Sequence, residues 1–319
     1  MKRSLTILGI ALVVVAVLFT VFRPREEKPT FLNLATGGTA GTYFPLGGAL
    51  AEIWNANIEG MNATAQSTGA SVANVNLLRE GKNEIIMAQN DICFYAANGL
   101  EMFKDRPFPE LRGLVSLYNE TIQIITLADL GINTVADLRG KRVAVGAAGS
   151  GAEANARQIL AAAGLTYNDL TVQYLSFGEA AANLRDGNVD AAFVTAGFPT
   201  AAVQDIAASR RIALVALTPE IISALTARYQ YYTPTTIPAG TYTGVDVPVN
   251  TVAVRAMLAV RADMDARLAY ELVKTMFANT ERLKAAHRVG AQITLETAKV
   301  GMPLTLHPGA ERFFKEAGK

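Results

Sequence analysis

From residue 31 onward, short apolar runs alternate with stretches of helical period, and that alternation predicts an α/β fold. A strand over 31–36 leads through Gly37, Gly38, Thr39, Ala40, Gly41 and Thr42 into a helix over 45–57. A second strand, 62–67, ends at the TGAS run 68–71, which opens a helix stopping at Gly81. A third, 84–88, ends at Gln89. The middle of the chain repeats this grammar. Strand 121–126, a short helix 134–138 closed by Gly140, and strand 142–146 come first. Ser150 and Gly151 then open a helix to Ala163, with Gly164 at the position of a C-terminal cap. A strand at 172–175, a helix at 178–186, a strand at 189–195, a helix near 200–209 and a strand at 212–217 follow. Residues 229–250 are rich in Tyr, Thr, Pro and Gly without periodicity and read as a long loop. Strand 251–260 precedes a long helix over 264–288, whose Leu268, Leu272, Met276 and Leu283 recur at helical spacing and mark a core face.

The strands 121–126 and 251–260 flank the middle segment, and each is followed by a similar tripeptide, 127–129 and 261–263. They read as two crossings between lobes. One lobe is then 31–121 with 251–319, and the other is 122–250, including the loop 229–250. The first thirty residues stand apart. Lys2 and Arg3 precede an apolar run over 5–22, and a charged tether reaches Thr30. The run is longer than the roughly 7–15 residues of a secretory h-region, and no small-residue cleavage pattern follows it. A bilayer span needs about 17–25 residues. A retained membrane anchor is therefore expected over a cleaved leader, with the rest of the chain exported.

Composition narrows the chemistry. The chain has 319 residues, of which half are apolar, and a formal charge of +1. That is enough for two domains and offers no basic block for a nucleic-acid groove. With a single cysteine, Cys93, there is no intrachain disulfide or zinc cluster, and His287 and His307 are the only histidines. No metal or cofactor is expected. Residues 37–41 fit neither a dinucleotide fingerprint nor a Walker loop, and Gly149, Ser150 and Gly151 lack the flanking pattern of a nucleophile elbow. His287 reads as solvated on the polar side of the long helix, His307 as structural before Pro308, and Glu153 as support for a helix start. Nothing reads as catalytic. What remains is a set of glycine- and hydroxyl-bearing loops at strand ends: 36–43, 67–71, 149–151 and 195–197. Each of the first three opens a helix, whose N-terminus offers unpaired N–H groups and partial positive charge. Three such ends in one crevice would hold a carboxylate without any arginine.

Ordered segments from about Leu32 to Phe314 resemble the TAXI family, the solute receptors of TRAP transporters. They are TGGTAGTYFPLGG (36–48), TGASV (68–72), GLVSLYNETIQ (113–123), GSGAE (149–153), YLSFGE (174–179), DAAF (190–193), TIPAGTY (236–242) and LHPGAER (306–312). The resemblance implies the type II periplasmic-binding-protein fold, two α/β lobes joined by two hinge strands with the ligand cleft between them. It implies a monomeric, periplasmic, non-enzymatic receptor that passes a glutamate- or glutamine-like carboxylate to a membrane permease driven by an ion gradient. By matching position, the ligand contacts it implies are Thr39, Tyr43, Ser67, Gln89, Tyr118, Ser150, Gly151 and Thr195. Ala152 stands where that family has a hydroxyl residue, so one donor beside Ser150 is missing. Were the anchor retained, a membrane-held sensor signalling to a partner protein would be the alternative role.

Overall fold

The alternation folds as one continuous sheet in a computed structural model, which describes residues 29–319. The N-terminal part contributes β1 (Thr30–Ala35), α1 (Tyr43–Asn57), β2 (Met61–Gln66), α2 (Ser71–Arg79), β3 (Ile85–Gln89) and α3 (Asn90–Asn98). Then β4 (Leu111–Leu127) runs for 17 residues. The middle supplies β5 (Arg142–Ala144), α4 (Gly151–Ala162), β6 (Thr171–Gln173), α5 (Phe177–Arg185), β7 (Ala191–Ala196), α6 (Ala201–Ala207), β8 (Ile212–Leu214), α7 (Pro219–Arg228) and β9 (Thr233–Ile237). The chain closes with β10 (Val249–Arg261), α8 (Ala266–Ala278), α9 (Thr280–Ala286) and α10 (Pro308–Glu316).

Strand order is β2-β1-β3-β10-β4-β7-β5-β6, with β8 added to β4 and β9 to β10. The two long strands pair antiparallel from Ala253 opposite Thr121 to Arg261 opposite Leu111. At one end β10 carries β3; at the other, β4 carries β7 over Thr121–Thr126 and β10 carries β9. The sheet therefore has two halves that share only β4 and β10. Helices cover both faces of each half, which is why β3 and β7 are buried throughout and read as unbroken apolar runs. Around β1 and β3, Leu46, Trp54, Leu272, Met276 and Phe314 fill one face, and Leu78, Ile92 and Phe103 the other. Around β7, Val143, Ile159, Leu160 and Phe193 fill one face, and Leu184, Val203 and Ile206 the other. The two-lobed α/β architecture expected from the sequence is present. The apolar run at 5–22 lies outside the described residues. Among those described, no helix is long and apolar enough to cross a membrane.

Four local expectations change. The helix expected over 264–288 is two helices, α8 and α9, broken at Asn279 (φ −127°, ψ 32°), whose side-chain amide donates to the Thr275 carbonyl. Leu272, Met276 and Leu283 are nonetheless all buried, because the apolar face continues across the break. The stretch 229–250 is not all loop. It contains β9, an edge strand in which Pro234 sits opposite Val252 and most side chains face solvent. Proline and an exposed face remove the alternation that would have revealed it. The strand expected at 121–126 is the second half of β4. His287 is half-buried, its Nε2 3.1 Å from the Pro199 carbonyl and its Nδ1 accepting from the Val289 N–H.

Candidate functional site

Between the two halves lies a cavity of about 60 Å³. Its walls come from strand ends and helix starts on both sides. Gly41, Thr42 and Tyr43 lead into α1, Gly69, Ala70 and Ser71 into α2, and Gln89 ends β3. From the other half, Ser150 and Gly151 start α4, Ser176 and Phe177 start α5, and Thr195 and Ala196 end β7. Glu120, from the shared strand β4, completes the lining. Such a crevice at the carboxyl ends of strands is where open α/β sheets place ligands.

Four helix N-termini thus border one cavity. Ser150 caps α4, its Oγ accepting from the Glu153 N–H at 3.1 Å, and Ser176 caps α5 in a reciprocal box with Glu179. Neither α1 nor α2 has a side-chain cap. Ala70, just before α2, has φ 68° and ψ −149°, a conformation that costs a residue with a Cβ about 1–3 kcal/mol and collects at ligand sites. Among the described residues, no lysine or arginine lines the cavity. Two buried acceptors in it, Gln89 Oε1 and Thr195 Oγ1, have no hydrogen-bond partner among the described residues. Buried polar atoms in folded proteins are as a rule paired, so these two are available to a bound molecule or water.

Glu120 is 2% exposed, and its Oε2 accepts from the Tyr43 hydroxyl at 2.8 Å. Burial pushes its carboxyl well above the usual carboxylate range; the Tyr43 hydrogen bond opposes this and the charge of Asp91 adds to it. Burial first, and the Glu120 charge second, raise the Tyr43 phenol well above its usual range. The halves touch around the cavity. The Ala73 N–H donates to the Gly149 carbonyl (3.0 Å), the Ala202 N–H to the Ala40 carbonyl (3.2 Å) and Thr42 Oγ1 to the Gly197 carbonyl (3.2 Å). Beneath the rim, Asn155 Nδ2 donates to Asp91 Oδ2 (3.0 Å) and Gln158 Nε2 to the Tyr95 hydroxyl (3.1 Å). The described state is closed.

Of the residues expected at the site, Tyr43, Gln89, Ser150, Gly151 and Thr195 meet in this cavity. Tyr118 lies fully buried outside the lining, its hydroxyl without a partner among the described residues and its ring edge 3.3 Å from where a Cβ on Gly197 would stand. Thr39 is exposed at the turn before α1, and Thr42 occupies the lining in its stead. Ser67 is exposed and borders a separate surface groove with Asn76, Lys82 and Asn83. Glu153 lies outside the cavity, its carboxylate taking the Tyr167 hydroxyl at 2.8 Å, and His307 caps α10. Sequence reasoning passed over Glu120, Ser176 and Phe177, and it marked the loops that carry Thr42 and Ser71 without placing either among the ligand contacts. Glu120 left no local signal, since the strand read from the sequence begins at 121, one residue after it.

The model of the NMT1-like family matches residues 34–318. Among solved structures, a Listeria monocytogenes protein described provisionally as an L-cystine ABC transporter is 17% identical, with 83% of this chain and 98% of that one covered at a TM-score of 0.50. The alkanesulfonate-binding protein SsuA of Xanthomonas axonopodis pv. citri, bound to MOPS, is 19% identical over 91% of this chain and 84% of its own (TM-score 0.44). The periplasmic aliphatic sulphonate binding protein SsuA of Escherichia coli is 17% identical over 90% and 84% (TM-score 0.42). At 17% identity, the likeness to the Listeria protein is one of fold.

Proposed function

The chain belongs to the NMT1-like family, and from that premise we propose that it is an extracytoplasmic solute-binding receptor and not an enzyme. It closes two lobes, 31–121 with 251–319 and 122–250, over a small carboxylate-bearing solute. The observation that carries this reading is the inter-lobe cavity itself. It is bordered by four helix N-termini, two of them without a side-chain cap, and among the described residues it contains unpartnered buried acceptors and no cationic side chain. Uncapped N–H groups and the helix dipole favour an anion there. Gln89 reads a polar end of the solute, and Tyr43 and Phe177 supply apolar wall. The ordered segments from residue 36 to residue 312 support delivery to an ion-gradient-driven permease of the TRAP type, with 5–22 as the tether to the membrane.

The test is a thermal-unfolding screen of the full chain in detergent with glutamate, glutamine, dicarboxylates and 2-oxo acids. A ligand of the folded state at one hundred times its Kd adds about 2.7 kcal/mol, so at least one of these acids should raise the midpoint clearly. Shifts given by sugars or metal ions alone would overturn the reading.

A further inference from the structure

Among the described residues Glu120 is the one carboxylic acid in the cavity lining, and the receptor reading leaves it without a task. A carboxylate aimed into a site for an anion would repel the solute. It forms no ion pair among the described residues. Its only hydrogen-bond donor among them is the Tyr43 hydroxyl, and its neighbours on β4 and β10 are the uncharged Thr121 and Val254. A buried charge without a partner is expensive enough that the group stays neutral instead. The direction of its proton affinity agrees with this. Yet Tyr43 donates to one oxygen, an arrangement that suits a carboxylate receiving further donors. The missing partner is a cation, and no residue of the lining supplies one.

We propose that Glu120 is the specificity-determining residue of the cavity, and that it recognises an ammonium group carried by the solute. The inference deepens the receptor reading and rests on it. The carboxylate of the solute meets the helix N-termini, and its ammonium donates to Glu120. In the empty cavity Glu120 holds its proton. As the ammonium arrives, the carboxyl O–H ionises, the proton leaves to the buffer, and the ammonium keeps its own charge. Uptake therefore releases protons to the buffer. A des-amino acid of the same length has nothing to offer Glu120 and releases none.

Calorimetric titration of the full chain in detergent, in phosphate and in Tris at pH 7, tests this. The probes are L-glutamate, L-glutamine and the other common amino acids, each beside its 2-hydroxy counterpart. The expected result is that an amino acid binds at least tenfold tighter than its hydroxy counterpart. Its heats in the two buffers should differ in the sense of proton release on binding. Glu120→Gln, which keeps an acceptor for Tyr43, should lose at least tenfold in affinity, most of the discrimination and the proton release. A wild-type unfolding midpoint for Glu120→Gln guards against a variant that merely misfolds, and Glu120→Asp, which keeps the carboxyl, should keep the proton release. Binding of the hydroxy acids with equal or better affinity would overturn the role of Glu120 and leave the receptor reading intact. Unchanged proton release in Glu120→Gln would do the same. Failure of every acid in both sets would remove the carboxylate reading, and this inference with it.

Discussion

A Cβ added to Gly151 would stand 2.0 Å from Gln89 Oε1 and 2.4 Å from its Cδ. These two residues belong to different lobes, so the contact exists only in the closed state. Gln89 is 3% exposed, and the direction left to its side chain is into the cavity. Gly151→Ala should therefore leave the fold intact, since alanine suits a helix start better than glycine. It should nevertheless weaken solute binding more than tenfold, as read by calorimetry. Unchanged affinity would mean that closure over a solute does not bring the two residues this near. The glycine was visible in the sequence as a helix opener. Its contact with Gln89, 62 positions earlier in the chain, was not, because no local pattern encodes which strand end faces which helix start.

At the level of the helix, Ser150 has two claims on its hydroxyl. It caps α4, and it borders the cavity. Replacing a serine cap by alanine costs about 0.5–2 kcal/mol, whereas glycine costs only a few tenths. Ser150→Ala should lower the unfolding midpoint by a few degrees, and Ser150→Gly hardly at all. If the hydroxyl also reaches the solute, both variants lose affinity to a similar degree. A loss confined to Ser150→Ala would assign the residue to capping alone. The same scale shows where periodicity misleads: the apolar spacing of α8 and α9 reads as one helix because the buried face survives the break at Asn279. For β9, pairing with β10 creates a strand that its own residues do not advertise.

Across the whole molecule, lobe contact buries Asp91 against Asn155, within a network that includes Tyr232, Gln158 and Tyr95. Burial raises the Asp91 carboxyl from 3.8 to about 6, against the pull of hydrogen bonds from the Ile92 N–H and Asn155. The folded form thus holds a proton that the unfolded chain gives up earlier. The associated stability is present below pH 4 and is lost as the pH rises through 6. At 1.36 kcal/mol per unit, the swing is on the order of 3 kcal/mol. Asp91→Asn keeps an acceptor for Asn155 and cannot ionise. Urea unfolding from pH 4 to pH 7 should show the wild type losing roughly that much relative to the variant. A difference independent of pH would show that Asp91 stays solvated.

Local pattern was sufficient for the α/β class, for most strands and helix starts, and for the loops that supply Tyr43, Gln89, Ser150, Gly151 and Thr195. Alternation, glycine ends and hydroxyl caps are properties of neighbouring residues, and they act before any lobe forms. Only the tertiary structure put Thr42 in the lining instead of Thr39 and left Ser67 on an outer groove. It alone turned Glu120 from a residue of an unremarked strand into the one acid of the cavity. Those outcomes depend on how β4 and β10 are shared between the halves and on which faces meet when the lobes close. That geometry is set by long-range packing, in which residues a hundred positions apart decide what a side chain can touch.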